Sequence, residues 1–151
     1  MVPFDYPAES HARRHGPQGY ADYESYRPWL RDEFTFRCVY CLQRERWGQV
    51  SGTYHIDHPD GRLDGLTAAA QSLIAKLDLD SPQARQWRLI WMRNAELARE
   101  FDPEQYERLM GFPDDLPDLS RLRPPGGNIR PTGVESSYFA RRREKQLPST
   151  Y

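Results

Sequence analysis

The chain has 151 residues, 38% of them hydrophobic, and a formal net charge of −1 at pH 7. This length favours one domain of ordinary size, and the near-zero charge excludes a uniformly basic nucleic-acid-binding chain. No apolar run is long enough to span a membrane, and His11, Arg13, Arg14 and His15 interrupt any signal-like segment. We therefore expect a cytoplasmic protein that is not bound to a membrane.

The N-terminal third of the chain predicts irregular structure followed by a small β-hairpin. Residues 1–19 contain three prolines and two glycines without periodicity, which is typical of an irregular arm. Aromatic residues spaced by three between Tyr20 and Trp29 then indicate one helical face. Residues 34–40 and 49–55 are β-like stretches that a short linker joins, and they predict a hairpin.

The rest of the chain predicts helices and then an extended tail. Leu66 to Leu77 have helical apolar spacing, and Ser81-Pro82 and Asp102-Pro103 are typical helix starts. The predicted apolar face of the second helix contains Trp87, Ile90, Trp91, Ala95 and Ala98. Residues 112–151 are rich in Pro and Gly. We therefore predict a mainly α-helical single domain over residues 20–111, with helices at about 66–110 and an irregular basic tail.

The two cysteines, Cys38 and Cys41, are separated by two residues. Two thiolates at this spacing can bind one tetrahedral zinc ion from a tight turn. Because the chain has no other cysteine, a site of four thiolates within one chain is excluded. The alternatives are two buried cysteines without a metal and a redox-active pair.

A second polar motif, His55-Ile56-Asp57-His58, brackets a carboxylate with two histidines. The carboxylate of Asp57 could bind a divalent cation through oxygen, and His58 could take a proton from water. The alternative is a surface turn of ordinary polar residues.

Together, Cys-x-x-Cys, a short ribbon and His-Ile-Asp-His-Pro resemble the start of the HNH endonucleases. The resemblance implies a ββα-metal finger, over residues 34–58, that holds one divalent ion such as Mg²⁺ and hydrolyses phosphodiesters of nucleic acid, with DNA as the expected substrate. It implies that Asp57 is a metal ligand and that His58 activates the attacking water. It also implies that Cys38 and Cys41 are half of a structural zinc site.

The chain departs from that family after His58. It has no later histidine or cysteine, and Asn94 and Asn128 are not in the context of the family's central Asn. Compared with that family, the chain lacks an internal block between His58 and Gly61. The helix that supplies the second metal ligand in the family belongs to that block. A single carboxylate leaves Mg²⁺ mostly hydrated, so the expected activity is weak or absent.

The same residues permit a structural zinc site. Cys38, Cys41, His55 and His58 form a Cys-x-x-Cys and His-x-x-His set that could complete a tetrahedral centre. In that interpretation His58 is a zinc ligand and cannot be a base, and the chain is a non-catalytic module that binds nucleic acid or protein.

The tail also contains three consecutive arginines, Arg141, Arg142 and Arg143. They could contact a nucleic-acid backbone, because guanidinium groups pair well with phosphates. The alternative is a solvated, flexible end.

Overall fold

The structure is a computed structural model that describes residues 12–38, 44–48, 72, 75–76, 81–126 and 131–150. Within these ranges the fold is mainly helical, which confirms the predicted class. Four α-helices have defined bounds: α1 (Arg27–Glu33), α2 (Pro82–Phe101), α3 (Pro103–Met110) and α4 (Tyr138–Arg143). Four 3₁₀ helices accompany them: Glu24–Tyr26, Glu45–Gly48, Leu119–Arg121 and Val134–Ser136. None of the described helices combines the length and the apolar composition that crossing a bilayer requires.

Helix α1 ends in a Schellman turn built without glycine. The N–H of Phe36 donates to the carbonyl of Arg31 at 2.8 Å. The N–H of Thr35 donates to the carbonyl of Asp32 at 3.2 Å, and Thr35 itself is left-handed at φ 54°. The hydroxyl of Thr35 lies 3.0 Å from that of Tyr138. This tertiary hydrogen bond offsets part of the cost of a left-handed, β-branched residue.

The predicted strand over residues 34–40 is wrong at its start. Residues 34–36 form the Schellman turn, because the aromatic side chain of Phe36 enters the core from that turn rather than from a pleated strand. Among the described residues the hairpin is reduced to one antiparallel bridge, between Arg37 and Arg44. Glu45–Gly48 then forms a 3₁₀ helix where the sequence predicts a linker. The second predicted stretch, 49–55, lies outside the described residues.

The two helix starts predicted from Pro and its preceding polar residue are confirmed. Helix α2 begins at Pro82, directly after the buried Ser81. Helix α3 begins at Pro103, and the carboxylate of Asp102 accepts a hydrogen bond from the N–H of Gln105 at 3.0 Å. Proline in the first turn costs no helical hydrogen bond, because the N–H that proline lacks would have no acceptor within the helix at that position. Three described residues inside the predicted helix over 66–77 are helical: Ser72, Ala75 and Lys76.

The packed face of α2 differs from the predicted face. Ala95 is buried, and Trp91 and Ala98 are half-buried, as the periodicity predicts. Trp87 and Ile90 remain 54% and 45% exposed. The prediction is wrong for these two residues, because α3 covers only the side of α2 that carries Trp91 and Ala95.

The segment after residue 111 is part of the core and not an extended tail. Its apolar residues are spread over turns and 3₁₀ helices, and several are buried: Phe112, Leu116, Leu119, Val134 and Ala140. Helix α4 follows, with Ser137 as its N-cap. The Pro and Gly content predicted irregular backbone correctly for much of this segment, but it does not report burial, which its leucines and aromatics supply.

Among the described residues, the buried hydrophobic side chains form three small clusters that each contain at least one aromatic residue. Trp29 packs with Leu119 and Val134, Phe36 packs with Phe112 and Leu116, and Trp47 packs with Ala95 and Met110. In the third cluster the ring of Trp91 stacks on that of Trp47 with centroids 5.6 Å apart. We call Trp47, Trp91, Ala95 and Met110 the aromatic layer.

Candidate functional site

The Cys-x-x-Cys pair belongs to a segment whose two ends lie side by side. The antiparallel bridge joins Arg37 to Arg44, so the two residues that flank segment 38–43 lie side by side. Cys38 directly follows the bridge and is half-buried. Cys41 lies outside the described residues. Both cysteines therefore fall within the stretch of chain that this bridge closes.

The returning end of this segment is clamped to the C-terminus of α3. Arg44 is buried, and its guanidinium donates to the carbonyl of Met110 at 3.1 Å. The indole N–H of Trp47 donates to the carbonyl of Leu109 at 2.9 Å. The last carbonyls of a helix have no partner within the helix, and cationic or N–H donors there satisfy them. These two hydrogen bonds therefore attach the bridge to the C-terminus of α3.

An ion pair fixes the same returning end to α1. The carboxylate of Glu45 is buried and accepts from Nε of Arg31 at 3.0 Å. The same guanidinium reaches the carboxylate of Asp115 at 2.9 Å. The N–H of Glu45 donates to the carbonyl of Phe36 at 2.9 Å. Arg31 thus connects α1, the bridge and the C-terminal segment.

The other predicted metal and catalytic residues cannot be placed in this geometry. Cys41, His55, Asp57 and His58 all lie outside the described residues. Within the described ranges, no group of three or more His, Cys, Asp and Glu side chains could hold a metal ion. Of the predicted ligands, Cys38 alone falls in the described residues, and it directly follows the bridge between Arg37 and Arg44.

A buried polar centre that the motifs do not indicate joins the arm to α1. Nε2 of His15 lies 2.7 Å from Oδ1 of Asp32, and Nδ1 lies 3.1 Å from the carbonyl oxygen of Thr132. Arg14 donates to Oδ1 of Asp32 at 3.1 Å and also to its main-chain carbonyl. The other carboxylate oxygen of Asp32 accepts the N–H of Tyr138 at 2.8 Å. Three distant parts of the chain therefore meet at one carboxylate.

Glu33 completes this centre from the next position of α1. Its two carboxylate oxygens accept the main-chain N–H groups of Arg14 and His15, at 2.8 and 3.0 Å. The arm therefore needs no helix or strand to satisfy these two donors. We call Arg14, His15, Asp32 and Glu33 the polar joint.

The pair at the centre of the polar joint is buried. Asp32 is 0% exposed and His15 is 2% exposed. Both ring nitrogens of His15 lie within hydrogen-bond distance of oxygen atoms, one from Asp32 and one from Thr132. The indole of Trp29 packs edge-on against the imidazole at 5.8 Å. Because the imidazole is buried and both of its nitrogens contact the chain itself, we assign this centre to positioning the arm.

Sequence reasoning missed the polar joint because its partners are far apart in the chain. His15 and Asp32 are 17 residues apart, and His15 and Thr132 are 117 apart. Gly133 is the one local signal. It is left-handed at φ 76°, and an added Cβ would collide with the carbonyl oxygen of Arg14. A glycine there indicates close approach of another backbone, but it does not identify which one.

The C-terminal arginines are placed differently from one another. The guanidinium of Arg142 donates to the carbonyls of Pro113 and Asp114, at 2.9 and 3.1 Å. Arg141 lies over the ring of Tyr138 at 5.6 Å. Arg143 is exposed. The structure thus gives two of the three arginines contacts within the chain and leaves the third on the surface.

A charged cleft of about 440 Å³ lies between α3 and the C-terminal segment. Four cationic side chains line it: Arg46, Arg108, Arg142 and Lys145. Three acidic ones share it: Glu104, Glu107 and Asp114. The carboxylate of Asp114 pairs with Arg46 at 3.0 Å. Mixed charge of this kind offers a phosphate no uniformly positive wall.

Comparison with protein-family models, with curated proteins and with solved structures finds no significant match to this chain. The chemistry assigned to the chain therefore rests on its own residues and motifs.

Proposed function

We propose that this chain carries the first half of an HNH-type, metal-dependent nucleic-acid endonuclease module, with weak or no activity because the second half is missing. The observation that supports the proposal is the bridge between Arg37 and Arg44, directly beside Cys38. Arg44 and Trp47 attach this bridge to α3, and Glu45 attaches it to α1. Such a support is what a small metal-binding ribbon needs, because a two-stranded ribbon is not stable by itself.

In this proposal each motif residue has one role. Asp57 binds a divalent cation such as Mg²⁺ through its carboxylate, and His58 takes a proton from the attacking water. When bound, the cation stabilises negative charge on the phosphate. Cys38 and Cys41 contribute thiolates to a structural zinc site. The helix of the ββα motif, which would supply a second ligand to the cation, is missing from this chain. The affinity of the site for the cation is therefore low.

Contact with the nucleic-acid backbone is expected from the exposed cations of the C-terminal segment. Arg143 and Lys145 are exposed at the end of α4. Arg141 and Arg142 support that surface by holding Tyr138 and the carbonyls of Pro113 and Asp114. Replacing Arg143 should weaken DNA binding equally for different sequences, because phosphate contacts carry no base information.

The same bridge also favours a second candidate, a non-catalytic zinc-stabilised module. In it, Cys38, Cys41, His55 and His58 complete one tetrahedral site, and His58 is not available as a base. The module then binds nucleic acid or protein through its surface. The attached bridge supports this candidate equally, since both functions require the two thiolates to be held together.

The experiment that separates them is zinc content per chain for wild type, His58→Ala and the control His11→Ala. Under the endonuclease proposal, His58→Ala keeps its zinc and abolishes whatever Mg²⁺-dependent cleavage of plasmid DNA the wild type shows. Loss of zinc in His58→Ala, but not in His11→Ala, contradicts the endonuclease proposal and supports the structural site. Retained zinc with cleavage unchanged excludes His58 from both roles.

A further inference from the structure

Helix α2 carries an apolar stripe that is exposed to solvent. Trp87, Ile90, Leu97 and Phe101 are 54%, 45%, 45% and 75% exposed. With the exposed Asn94 between them, the spacing along the helix is three, four, three and four residues. This is the a/d spacing of a helix that packs along another helix. The neighbouring edge of α2, which carries Trp91 and Ala98, is half-buried against other parts of the chain.

Two opposite charges accompany the stripe on its open side. Arg93 precedes Asn94, and Glu100 precedes Phe101, so both occupy the position that flanks the seam in a coiled coil. They are seven residues apart, about 10 Å along the helix, which is too far for them to pair with each other. In the part of the chain that the structure describes, no ion pair involves either residue.

We propose that a second copy of this chain docks on the stripe, with the two α2 helices antiparallel around a two-fold axis between Asn94 and Leu97. In this register Ile90 faces Phe101 of the second copy, and Asn94 faces Leu97. Arg93 then lies beside Glu100 of the second copy, and the two-fold axis repeats that pair. One symmetric contact therefore covers Ile90, Leu97 and Phe101 of both copies and neutralises both flanking charges.

The charges select the antiparallel arrangement over the parallel one. In a parallel pair, the residue just before a seam position on one helix faces the residue just after the next seam position on the partner helix. Arg93 would then face Ala98, and the position that would face Glu100 lies beyond Phe101, where α2 ends, so neither charge would have a partner. Because the antiparallel contact covers three large apolar side chains per copy, we expect a reversible dimer whose population rises with protein concentration. This inference does not depend on the proposed nuclease function.

Sedimentation velocity of the full chain over a range of concentrations tests the surface. Wild type should shift from monomer to dimer, and Leu97→Asp should raise the dissociation constant at least about tenfold, because it places a charge at the centre of the seam. The matched control is Leu89→Asp, since Leu89 is 59% exposed but lies on another face of α2. Wild type that stays monomeric at every concentration would overturn the proposal, as would equal effects of the two variants.

A charge exchange tests the register. Arg93→Glu should weaken the dimer, since it sets two acids against each other twice, and Arg93→Glu combined with Glu100→Arg should restore it. Failure of the double variant to recover would overturn the antiparallel register. Far-UV circular dichroism of each variant checks that α2 is retained, and because all substituted side chains are exposed, no loss of fold is expected.

Discussion

The polar joint and the aromatic layer hold the chain together by opposite means at similar burial. In the polar joint, Asp32 is fully buried and has hydrogen-bond partners in two distant parts of the chain, Arg14 and His15 in the arm and Tyr138 in α4. In the aromatic layer, Trp47 is 4% exposed and relies on ring stacking and one indole hydrogen bond. Burial alone would rate the two residues alike.

The difference lies in what remains after one partner is removed. Truncating one member of a buried charged network leaves its partners desolvated and unpaired. Truncating an aromatic side chain leaves neighbours that can partly relax into the space. We therefore expect the joint to specify one geometry strictly and the layer to tolerate conservative change.

The largest effect should come from Asp32→Ala. It leaves the buried His15 and the half-buried Arg14 without their shared acceptor, so we expect a loss of about 3–5 kcal/mol in the free energy of unfolding. Urea denaturation measures it. Asp114→Ala is the control, because that side chain is 98% exposed and its pair with Arg46 contributes little. Equal losses in the two variants would refute the special role of the joint.

The layer should respond less to Trp47→Phe. The smaller ring keeps apolar contact with Trp91 but loses the hydrogen bond to the Leu109 carbonyl, so we expect about 1–2 kcal/mol. Trp87→Phe, at an exposed position, should change stability by less than about 0.5 kcal/mol in dilute protein. A loss in Trp47→Phe as large as that in Asp32→Ala would remove the contrast between the two regions.

A smaller effect is expected where the layer's helix α3 begins. Asp102→Ala removes the acceptor for the N–H of Gln105 and should cost about 1 kcal/mol. Asp102→Asn keeps a side-chain oxygen at the cap and should retain most of that stability. Thermal unfolding of both variants distinguishes loss of the cap from loss of charge, since a drop of equal size in Asp102→Asn would point to charge.

The smallest effect concerns an exposed carboxylate that makes the same kind of contact as Asp32. The hydrogen bond that the Ser25 hydroxyl donates is the main cause of a lowered pKa of Asp22, and the hydrogen bond from the Ser25 N–H is the second cause. A lowered folded-state pKa contributes stability that is present above the unfolded pKa and is lost as the pH falls through the folded value. NMR titration of the Asp22 carboxyl should show that Ser25→Ala raises its pKa toward the ordinary value. An unchanged pKa would contradict the assignment.

What the sequence predicted depended on how local the signal was. The starts of α2 and α3 were predictable because Ser81, Asp102 and the prolines that follow them act within one turn. Residues 34–36 were mispredicted because alternating aromatics resemble a strand, while the contact between Thr35 and Tyr138 spans 103 residues. The exposure of Trp87 follows from which side of α2 packs against α3, and periodicity does not encode that side. Of the metal motif, Cys38 alone falls in the described residues, and the roles of Cys41, His55, Asp57 and His58 stay predictions.

The span of the polar joint has a consequence for the order of folding. His15 depends on Thr132, and Asp32 depends on Tyr138, so the arm has no stable place until synthesis has passed residue 138. Contacts this distant in sequence form late, because loop-closure entropy must be overcome first. The pair of helices α2 and α3, which are consecutive, can form earlier. Chains that stop before residue 132 should therefore keep a helical hairpin and leave Asp32 without its main-chain donor from Tyr138.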